Sequence, residues 1–121
     1  FDYIGCAVGT GGTISGLINA SKKHQHVLGF PALKNDFLQE DIRKFATQDN
    51  WKLITDYHFG GYGKIKPELI TFINWFKKNH NIPLDPVYTG KMMFGIFDLI
   101  EKILDFVADD IKALYEEVET A

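Results

Sequence analysis

The chain has 121 residues, of which 45% are hydrophobic and 14% aromatic, a composition typical of one packed domain. Its formal net charge of −3 gives no basic field, so neither a nucleic acid nor an anionic membrane has electrostatic support as a partner. The single cysteine, Cys6, excludes an intrachain disulfide, and no window reaches the roughly 20 apolar residues of a membrane span. We therefore expect a soluble, cytoplasmic protein.

The first half of the chain alternates strand and helix patterns. Asp2–Val8 is a nearly continuous apolar run, which predicts a buried parallel strand, and a helix follows over Thr13–Lys23. His26–Leu33 predicts a second strand. Asp36, with Gln39 three residues on, predicts an N-cap for a helix that ends near Ala46. Because the chain begins without methionine and enters a strand at once, we expect it to be a piece of a longer protein.

The second half continues the alternation. Trp51–Tyr57 predicts a third strand, and the three glycines of His58–Gly63 predict a loop. Pro67 suits the first turn of a helix ending near Asn79 to Asn81, and a further helix is expected from about Gly90 to Lys102. This order predicts an α/β protein in which helices flank a parallel sheet in three layers.

A glycine-rich loop, Gly9-Thr10-Gly11-Gly12-Thr13, joins the first strand to the first helix. Glycines let the backbone approach a ligand closely, and the amides at a helix start favour a phosphate. The alternative is a tight turn in which Thr13 is an ordinary helix cap. A P-loop is excluded because no Gly-Lys-Ser/Thr follows, whereas the Rossmann fingerprint fits in part, with Asp36 at a plausible distance for a ribose contact.

Two later motifs indicate which phosphate is bound. They are Phe59-Gly60-Gly61-Tyr62-Gly63-Lys64 and Leu84-Asp85-Pro86-Val87-Tyr88-Thr89-Gly90-Lys91. With the glycine loop they resemble, in order and over roughly residues 1–102, the D-cysteine desulfhydrase and 1-aminocyclopropane-1-carboxylate deaminase family. The resemblance implies the tryptophan synthase β-subunit fold, that is, part of the large domain of a fold-type II enzyme that uses pyridoxal 5'-phosphate (PLP).

The resemblance also implies residue roles. Gly9, Thr10, Gly11, Gly12 and Thr13 would hold the PLP phosphate, while Tyr62 and Tyr88 would face the substrate as catalytic residues. A phenol works as an acid or base there only if its surroundings lower a pKa that is ordinarily near 10, as a nearby protonated imine could. For both tyrosines the alternative is simple packing.

Thr89 carries information about the reaction. Deaminases of the family have glutamate directly after the second tyrosine, facing the pyridine nitrogen, whereas desulfhydrase-like members have threonine. A neutral Thr89 beside the cofactor favours elimination of sulfide from D-cysteine, giving a 2-oxo acid, ammonia and sulfide. A small amino acid is the expected substrate either way, and the resemblance implies a homodimer for the full-length protein.

The lysine that PLP chemistry requires does not occur here in its family motif, and we expect it upstream of Phe1. Lys64 and Lys91 are interpreted as phosphate-side or, more simply, solvated surface charges. The isolated chain is therefore expected to be inactive.

Residues 103–121 do not match the family and form a separate region, interpreted as an acidic amphipathic helical tail. The four histidines do not have metal-ligand spacing, so no metal site is expected; of them only His58 lies beside a matched loop. Two other functions stay open. One is a Rossmann-like nucleotide-binding module, and the other is a non-catalytic interaction domain that docks through the tail.

Overall fold

A three-stranded parallel sheet organises the chain. The computed structural model describes the backbone of residues 1–120 and the side chains of residues 1–104, 112 and 113. The strands are β1 (Tyr3–Val8), β2 (His26–Pro31) and β3 (Trp51–Leu53), in the order β1-β2-β3. Tyr3 pairs with His26 and Val8 with Pro31, so β1 and β2 end at the same edge of the sheet.

Four helices accompany the sheet. They are α1 (Gly12–Ala20), α2 (Leu38–Arg43), α3 (Pro67–His80) and α4 (Thr89–Thr120). One face of the sheet packs against α1 and α2, where buried apolar side chains form a core: Cys6, Val8, Ile14, Ile18, Val27, Leu38 and Ile42. Gly29 permits this close approach, because a Cβ built there would lie 2.5 Å from Cδ1 of Ile14.

The opposite face of the sheet packs against α4. A Cβ built at Gly5 would lie 3.2 Å from Cδ1 of Ile96, and one at Gly95 would lie 2.9 Å from the ring of Phe30. Helix α3 packs on α4 through interlocking aromatic rings, including a contact between Phe76 and Phe97 with centroids 5.8 Å apart. The predicted class, a parallel sheet between two layers of helices, is confirmed.

Two local predictions in the middle of the chain were wrong. Asp36 does not cap α2. That helix begins after Phe37 without a side-chain cap, and Asn35 Oδ1 instead accepts a hydrogen bond from the Phe37 amide at 2.9 Å. Asn35 thus forms the local turn that such side chains favour. The third strand ends at Leu53 instead of continuing to Tyr57, because the chain turns there and buries the Tyr57 ring against Phe30.

Helix α4 is longer than predicted. The structure joins the expected helix over Gly90–Lys102 and the expected tail into one helix that continues to Thr120. Glycine and proline are absent from residues 103–120, so nothing in that stretch breaks the backbone hydrogen bonds. The predicted acidic and apolar faces of the tail lie outside the described side chains, and a domain boundary at residues 102–103 stays a prediction.

Candidate functional site

The glycine loop begins directly after the last hydrogen bond of the sheet. The Ala32 amide donates a hydrogen bond to the carbonyl oxygen of Val8 at 3.0 Å, one residue before Gly9. Gly11 then has φ +99°, and a Cβ there would lie 3.0 Å from Cγ1 of Ile42. Only glycine suits this left-handed and crowded position. The loop is therefore held between the sheet and α2.

The start of α1 is uncapped by any side chain. Gly11 is the N-cap residue and makes no side-chain cap hydrogen bond, and the first turn contains no acidic residue. Thr13 lies inside the helix, so the interpretation of Thr13 as an ordinary cap was wrong. The first amides of a helix have no intrahelical acceptor and carry the positive end of its dipole. This arrangement favours an anion.

A cavity of about 330 Å³ opens at the loop. It is lined by residues 7–14 and by the Tyr88 ring. A Cβ built at Gly12 would meet no atom within 4 Å, whereas one at Gly9 would lie 3.4 Å from Cε1 of Tyr88. Thr10, Gly12 and Thr13 are exposed. The loop therefore presents open space beside its amides, with one tyrosine at the mouth.

The two predicted catalytic tyrosines meet at this mouth. The rings of Tyr62 and Tyr88 lie edge to face, with centroids 6.2 Å apart. The Tyr62 hydroxyl raises the pKa of Tyr88, and partial burial and the charge of Asp85 act in the same direction. From the sequence, a tyrosine at this position was expected to act as an acid or base only with a lowered pKa. The described surroundings raise this pKa instead, so they do not meet that requirement, and the catalytic role of Tyr88 stays a prediction.

Asp85 organises the start of α4. Its Oδ1 accepts hydrogen bonds from the amides of Val87 (2.9 Å) and Tyr88 (2.6 Å), and its Oδ2 accepts from the amide and the hydroxyl of Thr89 (3.1 and 2.6 Å). Burial acts to raise the pKa of Asp85, but the hydrogen bonds from Thr89, Tyr88 and Val87 outweigh it and lower this pKa. Asp85 thereby fixes the backbone that carries Tyr88.

Thr89 lies in this cap. Its hydroxyl donates to Asp85 Oδ2 and accepts from the Asp85 amide at 3.0 Å. Its predicted contact with the pyridine nitrogen therefore stays a prediction. From the sequence, Asp85 was named only as a member of the second motif and given no role of its own, although aspartate is a preferred N-cap residue and was the signal available.

Lys91 is not a surface charge, and that interpretation was wrong. Its side chain is 1% exposed, and its Nζ donates hydrogen bonds to the carbonyl oxygens of Ala32 (3.1 Å) and Gly61 (3.0 Å). Burial lowers the pKa of this amine. Lys64, by contrast, is exposed. Lys91 therefore connects α4 to the end of β2 and to the loop that carries Tyr62.

The loop around Tyr62 is tightly turned. Phe59, Gly60, Gly61 and Gly63 all have positive φ, and His58 Nδ1 accepts a hydrogen bond from the Gly60 amide at 3.0 Å. His58 thus supports the turn. Among residues with described side chains, no group of three His, Cys, Asp or Glu side chains is placed to hold a metal ion.

Asp36, the residue that favoured a nucleotide, is exposed and lines a different cavity, together with Lys34 and His58. Within the described part of the chain, none of the helices combines the length and apolarity needed to cross a lipid bilayer.

Fold and site together define an α/β protein in which a glycine loop at the carboxyl edge of a parallel sheet leads into a helix without a side-chain cap. No family model matches the chain. It is 34% identical over 116 residues to a Pyrococcus furiosus protein provisionally named 1-aminocyclopropane-1-carboxylate deaminase, covering 84% of this chain and 35% of that protein. The bifunctional mitochondrial D-cysteine desulfhydrase/1-aminocyclopropane-1-carboxylate deaminase of Arabidopsis thaliana is 28% identical over 139 residues, with 98% and 35% covered.

A comparison with solved structures finds the same family. The chain superposes on the crystal structure of an ACC deaminase homologue (ACC is 1-aminocyclopropane-1-carboxylate) with a TM-score of 0.73 and 28% identity, covering 84% of this chain and 35% of that one. This chain matches part of the 1-aminocyclopropane-1-carboxylate deaminase and D-cysteine desulfhydrase family, as the sequence motifs predicted. It spans about a third of the length of these relatives.

Proposed function

We propose that this chain supplies the phosphate-binding part of a PLP site. The observation that carries the proposal is that an uncapped helix start, the loop Gly9–Thr13 and Tyr88 line one cavity, with the Tyr62 ring packed against Tyr88. The chemistry of the loop matches what a phosphate group requires. A phosphate needs amide donors, positive potential and room, and a Cβ at Gly12 would enter space that is otherwise open.

The residues take separate roles in this proposal. The amides of Gly11, Gly12 and Thr13, with the hydroxyls of Thr10 and Thr13, hold the phosphate, and Gly9 leaves room for the Tyr88 ring. When bound, PLP supplies a ring that stabilises negative charge on a substrate carbon. Tyr88 holds a proton at its hydroxyl towards the substrate side, and Tyr62 positions Tyr88 through the edge-to-face contact of the two rings.

The full-length protein is proposed to act on a small amino acid. Thr89 in place of glutamate favours D-cysteine, which with water gives pyruvate, ammonia and hydrogen sulfide; deamination of 1-aminocyclopropane-1-carboxylate is the other reaction of the matched family. Residues 1–121 alone are proposed to be inactive, because none of their lysines lies in the family's Schiff-base motif and the buried Lys91 is held by two carbonyls. The full-length protein is further proposed to be a homodimer located in the cytoplasm.

Two glycines of α1 provide a matched test. A Cβ at Gly12 or at Gly16 would meet no atom within 4 Å, so both alanine variants are sterically free, but only Gly12 lies at the cavity. A protein containing residues 1–121 is titrated with inorganic phosphate and with PLP, and the amide shifts of residues 9–13 are followed by NMR. We expect Gly12→Ala to weaken both affinities about tenfold or more, and Gly16→Ala to leave them within about twofold.

The outcome also separates the cofactor from other phosphates. Tighter binding of a mononucleotide or dinucleotide than of PLP in a thermal-shift assay would overturn the proposal and favour a nucleotide-binding module. Equal loss in both glycine variants, or amide shifts confined to residues outside the loop, would contradict the assigned position of the phosphate.

A further inference from the structure

Lys91 is placed between the two tyrosines of the site. It lies on α4, three residues after Tyr88, and one of its acceptors is the carbonyl of Gly61, the residue directly before Tyr62. Its other acceptor, Ala32, directly follows β2 and is tied to β1 through Val8. A single ammonium group therefore joins the segment of each tyrosine to the end of the sheet.

The burial of this amine makes the connection specific. Among the described side chains, no carboxylate pairs with Lys91, so its hydrogen bonds go to backbone carbonyls. A buried ammonium group raises the free energy of the fold when its N–H donors lack acceptors. Loop positions that move the Gly61 carbonyl away from Lys91 are therefore disfavoured. Gly61 has φ +126°, a conformation that other residues rarely adopt. The same carbonyl also accepts a hydrogen bond from the Lys64 amide at 3.1 Å, so Lys91 holds an already turned segment against α4 and thereby sets where Tyr62 lies relative to that helix.

We propose that Lys91 is a positioning residue that sets the spacing and angle of the Tyr62–Tyr88 pair. It does so by holding the Gly61 carbonyl at a fixed distance from α4, the helix that begins directly after Tyr88. The geometric part of this inference is independent of cofactor binding. Its catalytic consequence rests on the proposed function of the two tyrosines.

The test uses the Tyr88 phenol as a reporter of the pair. Tyr62 and Asp85 are the titratable groups that face this phenol, and Tyr62 contributes most to its raised pKa. With ¹³C-labelled tyrosine, the titration of Tyr88 is followed by NMR in the parent protein, Tyr62→Phe, Lys91→Met and the double variant. We expect Tyr62→Phe to lower the pKa of Tyr88, Lys91→Met to lower it in the same direction, and the double variant to add no further shift.

A matched control and a second variant keep the test decisive. Lys64→Met removes an exposed lysine near the same loop and is expected to leave the Tyr88 titration unchanged. If Lys91→Met does not fold, Lys91→Gln keeps amide donors on a shorter stem that does not reach both carbonyls, and the same fall in pKa is expected. A role confined to stability would change the unfolding midpoint but not the Tyr88 titration.

The result that overturns the inference is distinct from failure of the proposed function. An unchanged Tyr88 pKa in the folded Lys91 variant, or additive shifts in the double variant, would refute positioning by Lys91. Phosphate and PLP binding at Gly12 would be untouched by that result. In a full-length enzyme, Lys91→Met should lower kcat on the order of 10- to 100-fold with little change in PLP affinity.

Discussion

Removing the Asp85 carboxylate tests the energetics of the α4 start. Asp85→Ala deletes the acceptor of four hydrogen bonds, three from backbone amides and one from the Thr89 hydroxyl. Replacing an N-cap aspartate by alanine costs about 0.5–2 kcal/mol. Because Asp85 is exposed, solvent replaces part of this loss, and we expect about 1–2 kcal/mol in the free energy of unfolding. Urea unfolding followed by tryptophan fluorescence measures it.

A second aspartate provides the control. Asp36 was predicted from sequence to cap α2, but it is exposed and Asn35 makes the local hydrogen bond instead. Asp36→Ala should therefore change the free energy of unfolding by less than about 0.5 kcal/mol. Equal costs for the two substitutions, or a negligible cost for Asp85→Ala, would refute the assignment of the cap.

The pH dependence of the same variant has a definite sign. The folded pKa of Asp85 is lowered, so its contribution is fully present above the unfolded pKa, about 3.9, and is lost as pH falls through the folded value. The stability gap between the parent protein and Asp85→Ala should thus be constant near neutral pH and should shrink in acid. A gap that widens in acid would contradict the direction of the shift.

Three further outcomes follow from the packing. Gly29→Ala should destabilise the fold by about 1–3 kcal/mol in thermal melts, because its Cβ would overlap Ile14 and Leu53; a neutral result would refute this packing. Tyr57→Phe removes the 2.7 Å hydrogen bond to Asp98, the main cause of that carboxyl's lowered pKa, so NMR titration should show the Asp98 pKa rise; no rise would contradict it. Burial raises the pKa of the Cys6 thiol, so iodoacetamide should modify it slowly unless the chain unfolds, and rapid labelling of the folded chain would contradict its burial.

Local signals in the sequence were sufficient for the starts of the first two strands and for the position of the glycine loop. The apolar run before Gly9 predicted β1 within a residue, and the predicted and observed starts of β2 coincide at His26. The glycines of Gly9–Thr13 predicted a tight turn, and Gly11 has the positive φ that few other residues adopt. These features depend on neighbours in the chain and could be predicted from them.

The position of Lys91 depends on residues far along the chain. Its acceptors lie 59 and 30 positions away, so no local pattern shows that it is buried. Charged side chains are usually exposed, and that expectation led to the wrong interpretation. The cap of α2 failed for a different reason, because Asn35 competed with Asp36 for the same turn. The meeting of Tyr62 and Tyr88 could be expected only through the family resemblance.

The hydrogen bond from the Ala32 amide to Val8 has a consequence for how ligand binding is detected. It is the last hydrogen bond of the sheet before the glycine loop. Opening the sheet at this point therefore also releases the start of the loop at Gly9. The Ala32 amide should therefore exchange with solvent deuterium only through opening of the sheet. A ligand held by residues 9–13 would slow that exchange by the factor 1 + [L]/Kd. Deuterium uptake at Ala32 then measures affinity at the loop without any reaction taking place.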